Sequence, residues 1–173
     1  MKNLKTSVFF LLLGTFLSNA QSLKSPDGKF EMNFQLKTGV PYYNLKYEGK
    51  TVVEDSKLGL RLLKDGNIQF ASEIENKDQK GKNLDNSFTK TAEKFDTKDE
   101  TWNPIMGEKK SYINHYNELA VTLNQEANDR YIVVKFRLFN DGLGFRYEFP
   151  EQKNLNYFII KEEKSEFNLA GNH

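Results

Sequence analysis

Val134-Lys135-Phe136-Arg137-Leu138-Phe139-Asn140-Asp141-Gly142-Leu143-Gly144-Phe145-Arg146-Tyr147-Glu148-Phe149 is the stretch on which the fold turns. Apolar and polar residues alternate on both sides of Asp141-Gly142, the dipeptide favoured in tight hairpins because both of its residues tolerate positive φ. With Asp141-Gly142 as a two-residue turn, Asn140 faces Leu143, Leu138 faces Phe145 and Phe136 faces Tyr147. One surface of the ribbon then carries Val134, Phe136, Leu138, Phe145, Tyr147 and Phe149. The other carries Lys135, Arg137, Phe139, Gly144, Arg146 and Glu148. A one-residue slip would mix the two sets, so the apolar set belongs on a buried sheet face. In this register Lys135 opposes Glu148, a favourable pair, and Arg137 opposes Arg146. Two readings of the arginines stay open. Each is solvated or meets a carboxylate on a neighbouring strand, or the two join Phe139 in contacting a further sheet or domain.

Period-2 alternation extends outward from this ribbon. Ser25-Pro26-Asp27-Gly28 is a turn, and Phe30, Met32, Phe34 and Leu36 then share one face while Glu31, Asn33, Gln35 and Lys37 share the other. Tyr43 to Tyr47 alternates likewise and turns at Glu48-Gly49 into Thr51-Val52-Val53. Leu58–Leu63 and Ile68–Phe70 read as short strands around the Lys64-Asp65-Gly66-Asn67 turn. Tyr112–Asn124, Tyr131–Phe139 and Leu143–Phe149 read as longer ones. Tyr157–Lys161 reads as another, and Phe167–Leu169 as the start of one more. The polar, lysine-rich stretch from Glu75 to Glu100 reads as a loop or a weakly paired excursion. No long amphipathic helix, repeat or low-complexity tract interrupts the pattern. The expectation is an all-β protein, an antiparallel β-sandwich.

The first twenty residues are an address. Lys2 and Lys5 precede the apolar run Val8–Leu13, and Ser18-Asn19-Ala20 supplies the small residues read at a cleavage site. Residues 1–20 are expected to be a secretory signal peptide cut after Ala20, so that the mature chain is periplasmic or secreted. The apolar run is short of the roughly 20 residues a membrane helix needs. The protein has no cysteine, which excludes both a lipid-anchored export signal and disulfides. Removing Lys2 and Lys5 from 25 basic residues leaves 23 against 24 acidic ones. That balance gives no electrostatic reason to bind nucleic acid or an anionic membrane. Fourteen phenylalanines and eight tyrosines suit a β-rich core.

Recognisable chemistry is sparse. His115 and His173 are the two histidines, too few for a zinc site without cysteine. No H-E-x-x-H, P-loop, G-x-G-x-x-G or G-x-S-x-G occurs. Glu162-Glu163 read as surface charges on a strand, Glu108 as a group capping or bonding local backbone with a ligand contact as its alternative, and His115 as a structural hydrogen-bonding residue. Trp102 is a core or interface anchor, or a platform on which a sugar stacks. No catalytic and no metal-binding residue is assigned.

Three segments in order carry a resemblance. Trp102-Asn103-Pro104-Ile105-Met106-Gly107-Glu108 is similar to a W-x-P-x-x-G-E segment of glycoside hydrolase family 97, the periplasmic α-glucosidases and α-galactosidases. Ile113-Asn114-His115-Tyr116-Asn117-Glu118-Leu119 looks like the family's next block. Phe136 to Pro150 resembles its N-terminal hairpin. Ser25-Pro26-Asp27-Gly28-Lys29 and Gly59-Leu60 are weaker likenesses. The resemblance implies a mutarotase-like super-sandwich ahead of a catalytic (β/α)₈ barrel. Residues 21–173 would then be a partial N-terminal β-sandwich domain, non-catalytic and inactive alone. Its partner would be its own barrel, on which it packs and whose active-site pocket it helps form, with an α-linked oligosaccharide as the substrate of the whole enzyme. Calcium is implied for the full-length enzyme and no cofactor for this chain. Phe167 to His173 enters a strand without a tail, so the sandwich is expected to be incomplete and its open edges prone to association. The alternative function is a stand-alone periplasmic carbohydrate-binding module.

Overall fold

The computed structural model describes residues 21–63 and 83–171. The signal peptide, the Lys64–Asn67 turn and the Ile68–Phe70 strand expected from the sequence lie outside the described residues. Among the described residues ten strands follow one another: β1 (Gln21–Lys24), β2 (Phe30–Lys37), β3 (Val40–Tyr47), β4 (Lys50–Lys57), β5 (Leu60–Leu62), β6 (Thr89–Trp102), β7 (Tyr112–Gln125), β8 (Arg130–Leu138), β9 (Leu143–Glu148) and β10 (Ile160–Glu163). Every ladder is antiparallel. One sheet has the order β1-β2-β3-β4, the second β6-β7-β8-β9, and β5 pairs with β10.

Local chemistry explains the first sheet. Thr38-Gly39 and Glu48-Gly49 close its two hairpins with positive φ at both turn residues, the geometry of a type I′ turn, for which glycine has no steric penalty. The turn before β2 is held by the Gly28 amide donating to the Ser25 carbonyl at 2.9 Å and by the Ser25 hydroxyl on Asp27 at 2.6 Å. In β2, Met32 and Phe34 are buried with Phe30 and Leu36 packed partly against the core, as the alternation requires.

The two sheets meet face to face. Leu23, Met32, Phe34, Tyr43, Leu45 and Val53 of the first join Leu119, Val121, Leu123, Ile132, Val134, Phe136 and Leu138 of the second in one buried cluster. The Phe136 ring lies 5.9 Å from Phe34, 6.2 Å from Tyr43 and 6.1 Å from Phe145. The molecule is an all-β sandwich, and among the described residues its only helical pieces are single 3-10 turns at Glu126–Asn128 and Lys153–Leu155.

Two expectations are corrected. The β8–β9 register pairs Leu138 with Leu143, Phe136 with Phe145 and Val134 with Tyr147, two residues away from the expected one. The connection is the four-residue loop Phe139–Gly142, in which the Phe139 amide donates to the Gly142 carbonyl at 2.8 Å. A shift of two keeps every side chain on its face, so the hydrophobic pattern cannot distinguish the two registers. Arg137 therefore opposes Gly144, and Lys135 opposes Arg146. The second correction concerns Glu75–Glu100. Its last part, from Thr89, belongs to the fourteen-residue β6, aligned with β7 from Thr89↔Asn124 to Trp102↔Tyr112. Every β6 side chain is exposed, so the ladder to β7, and not burial, makes it a strand.

The chain beyond β10 runs along β4. The Glu166 amide donates to the Lys57 carbonyl at 2.8 Å, the Glu54 amide to the Asn168 carbonyl at 2.7 Å and the Ala170 amide to the Val52 carbonyl at 2.9 Å. At Phe167–Leu169, where the sequence suggests the start of a strand, this run forms only an isolated bridge between Val53 and Leu169. The packing makes a direct forecast. Phe136→Ala should cost about 3–5 kcal/mol in urea unfolding, as large-to-small changes at buried phenylalanines do. Phe95→Ala, at a half-exposed position, should cost less than about 1 kcal/mol.

Candidate functional site

The outward face of the second sheet collects the charged residues of the decisive hairpin. The Arg137 Nε donates to Glu118 Oε2 on β7 at 2.7 Å, and its guanidinium lies 4.5 Å from the centre of the Tyr116 ring. Phe139 packs on the same ring at 5.1 Å. The Lys135 Nζ lies 3.8 Å from Glu118 and 3.2 Å from Glu148, and Arg146 donates to Glu148 at 2.6 Å. The hydrogen bond to Glu118 holds the Arg137 pKa above its usual value. Burial works against charge on Glu148, yet the hydrogen bonds from Arg146 and Lys135 outweigh it and keep its carboxyl below the usual range. Each arginine thus meets a carboxylate, Arg137 on the neighbouring strand and Arg146 on its own. The expected Lys135–Glu148 pair survives as a diagonal contact.

The second feature is the far end of the β6–β7 ribbon. Trp102 stacks on Tyr112 with ring centres 4.9 Å apart and planes 17° from parallel. Trp102 is half-exposed, which excludes it as a core residue, and Glu108 is exposed in the loop beyond it. His115 sits opposite Asp99 on the ladder, partly buried. Glu162 pairs with Arg61 at 3.3 Å, and Glu163 accepts from the Ser165 hydroxyl at 2.8 Å.

The third feature is a pocket of about 400 Å³ lined by Tyr43, Leu45 and Val53 of the first sheet, Leu143, Gly144 and Phe145 of β9, and Glu163 and Phe167. Its wall is chiefly apolar, with Glu163 as the one charged group. Beside it, the Tyr147 hydroxyl accepts from the Gly59 amide at 2.9 Å and shares a 2.7 Å hydrogen bond with the Ser165 hydroxyl. Gly59 is required there, because a Cβ would come within 2.6 Å of the Asp85 side chain. Sequence reasoning placed Tyr147 in the core but could not find this bond, whose partners lie 88 and 18 residues away.

Among the described residues no three of His, Cys, Asp and Glu converge in a group that could hold a metal ion. No buried side-chain nitrogen or oxygen among them lacks a hydrogen-bond partner. No helix among them is long and apolar enough to cross a membrane.

The profile of the family described as "Glycosyl-hydrolase 97 N-terminal" matches residues 23–173. The chain belongs to that family. It is similar, at 26% identity and a TM-score of 0.72, to a Glycoside Hydrolase Family 97 enzyme from Pseudoalteromonas sp. strain K8, solved in complex with panose and in complex with acarbose. That match covers 87% of this chain and 20% of the enzyme. A β-arabinopyranosidase at 24% identity and a TM-score of 0.69 shares the fold, with 86% of this chain and 21% of that one covered. The chain thus spans about a fifth of the length of the solved enzymes it matches. The family 97 sandwich carries its charged hairpin on the outward face, and the aromatic stack and the cavity lie apart from it.

Tyr147 makes the edge of this family 97 sandwich sensitive to pH. Burial pushes its hydroxyl up to about 12 from an ordinary 10.0. A raised folded-state pKa stabilises fully below the unfolded value and is lost as pH rises through the folded one. Stability should therefore fall between about pH 10 and 12, by roughly 2–3 kcal/mol for a shift of this size. Urea unfolding across that window should show the fall, and Tyr147→Phe should be less stable below pH 10 and flatter above it.

Proposed function

We propose that this chain is the non-catalytic N-terminal β-sandwich of an exported family 97 α-glycosidase, packing on a catalytic (β/α)₈ barrel and helping to form its active-site pocket. The observation that carries the reading is the match of the whole sandwich to one-fifth of enzymes whose remaining four-fifths lie elsewhere in their chains. Panose and acarbose in complexes of the Pseudoalteromonas enzyme favour an α-linked glucan oligosaccharide as the substrate of the assembled enzyme. Residues 1–20 act as its signal peptide, delivering the mature chain to the periplasm or the medium.

A second reading, a stand-alone carbohydrate-binding module, draws on the half-exposed Trp102–Tyr112 stack, since sugars pack on such aromatic faces. The two readings separate cleanly. The 173-residue chain should leave panose uncut. The same chain fused ahead of the unmatched four-fifths of the Pseudoalteromonas sp. strain K8 enzyme should hydrolyse it. Hydrolysis by the chain alone would overturn the assignment of catalysis to a separate domain. Calorimetry with maltooligosaccharides should give no heat; a saturable heat abolished by Trp102→Ala would establish the module instead.

A further inference from the structure

The β6–β7 ribbon is longer than the sandwich it belongs to. β8 pairs with β7 only from Asn117 to Gln125, whereas β6 continues along β7 through five more positions, from Lys98↔Tyr116 to Trp102↔Tyr112. At about 3.4 Å per residue this arm overhangs β8 by roughly 17 Å before residues 103–111 close it. A two-stranded ribbon is marginal in water on its own. This one is braced: Lys98 pairs with Glu100 at 2.8 Å, Asn114 donates to Glu100 at 2.8 Å, and Trp102 stacks on Tyr112.

The end of the arm presents large apolar side chains to solvent. Ile105 is 103% exposed, Met106 89% and Ile113 75%. Exposed apolar side chains grouped together, and not scattered singly, mark an interaction site, and Ile105 and Met106 are neighbours in the chain. Their chemistry selects the partner. Aliphatic Ile and Met lack the flat faces on which sugars stack, whereas Met and aromatic residues are enriched in the dry centres of protein interfaces. The charged face around Glu118 is already internally paired and offers no comparable apolar anchor.

Resting on the function proposed above, we propose that the β6–β7 arm is the docking element by which this sandwich grips its catalytic domain. Ile105, Met106 and Ile113 are the anchors that docking would bury. The occupant is the remaining four-fifths of a family 97 enzyme, because in the solved relatives that much chain lies outside the matched region.

Amide hydrogen exchange tests this on the 173-residue chain and on the fusion described above. Exchange across residues 103–113 should slow at least tenfold in the fusion and return to its rate in the isolated chain in an Ile105→Asp/Met106→Asp/Ile113→Asp variant. Protection of another face, with residues 103–113 exchanging as fast as in the isolated chain, would overturn the arm while leaving the proposed function standing. Protection of no face, together with an inactive fusion, would remove both. Two measurements on the isolated chain decide the matter independently of the fusion. The triple variant should melt within about 2 °C of the parent, and a larger drop would mean that these side chains serve this chain's own core. Sedimentation at about 10 µM should show a monomer for both, as obligate homodimers hold together at such concentrations. Dimers abolished by the triple variant would make a second copy the occupant, and slowing of residues 103–113 by maltotriose would make it a sugar; either result overturns the proposal.

Discussion

Phe136 is where the two sheets become one molecule. Its ring touches Phe34 and Tyr43 of the first sheet and Phe145 of its own, so the inner face of β8 can be dry only if the first sheet covers it. That requirement propagates. Val134 and Leu138 must share its side, β7 must present Leu119, Val121 and Leu123 beside them, and β2 and β3 must turn Met32, Phe34, Tyr43 and Leu45 the other way. The two tyrosines of the cluster add a polar edge to the apolar interior. The Tyr43 hydroxyl donates to the Glu166 carbonyl at 2.9 Å, and the Tyr147 hydroxyl shares a 2.7 Å hydrogen bond with the Ser165 hydroxyl. A ring buried in the core and a hydroxyl at its rim fasten the final stretch of chain to the sandwich.

The same constraint explains what could be read from the residues and what could not. Where one face is buried, alternation is a record of the fold, and the inward sets of β2, β7, β8 and β9 are legible in it. Alternation has a period of two and is blind to a shift of two, so the choice between a two-residue turn at Asp141-Gly142 and the loop Phe139–Gly142 lay outside its reach. The strand β6 shows the complementary failure. With all fourteen side chains exposed it carries no hydrophobic signature, and its lysines and acids are what an edge strand uses to discourage foreign pairing. Only β7, paired to it along its whole length, makes Thr89–Trp102 a strand.

Site chemistry was legible in proportion to its locality. The diagonal Lys135–Glu148 pair and the Arg137–Glu118 pair join residues on adjacent strands, and Arg146 meets Glu148 two residues along its own. The Tyr147 bond to Gly59 joins residues 88 apart, and no spacing announces it. Family membership entered through ordered segments, and two of them now have distinct physical jobs. Phe136–Pro150 is conspicuous because it builds the core, and the Asn-Asp-Gly loop with flanking aromatics would suit any buried hairpin. Trp102–Glu108 builds no core at all, since it forms the exposed end of the β6–β7 ribbon. Its likeness to the family therefore cannot come from the folding of the sandwich interior.

That contrast bears on how surfaces of this domain divide their work. On the outward face of the second sheet, Arg137, Lys135 and Arg146 are matched by Glu118 and Glu148, and Tyr116 is covered by Arg137 and Phe139. Displacing those contacts to bind something else would strip charged groups of partners they already have, a cost that a new contact must first offset. The apolar residues of the arm carry no such cost. Ile105 and Met106 gain free energy from any dry surface they meet, at about 25 cal/mol per Å² removed from water. A protein that leaves them fully exposed on a braced ribbon, while pairing its charges elsewhere, directs association to one end of one hairpin.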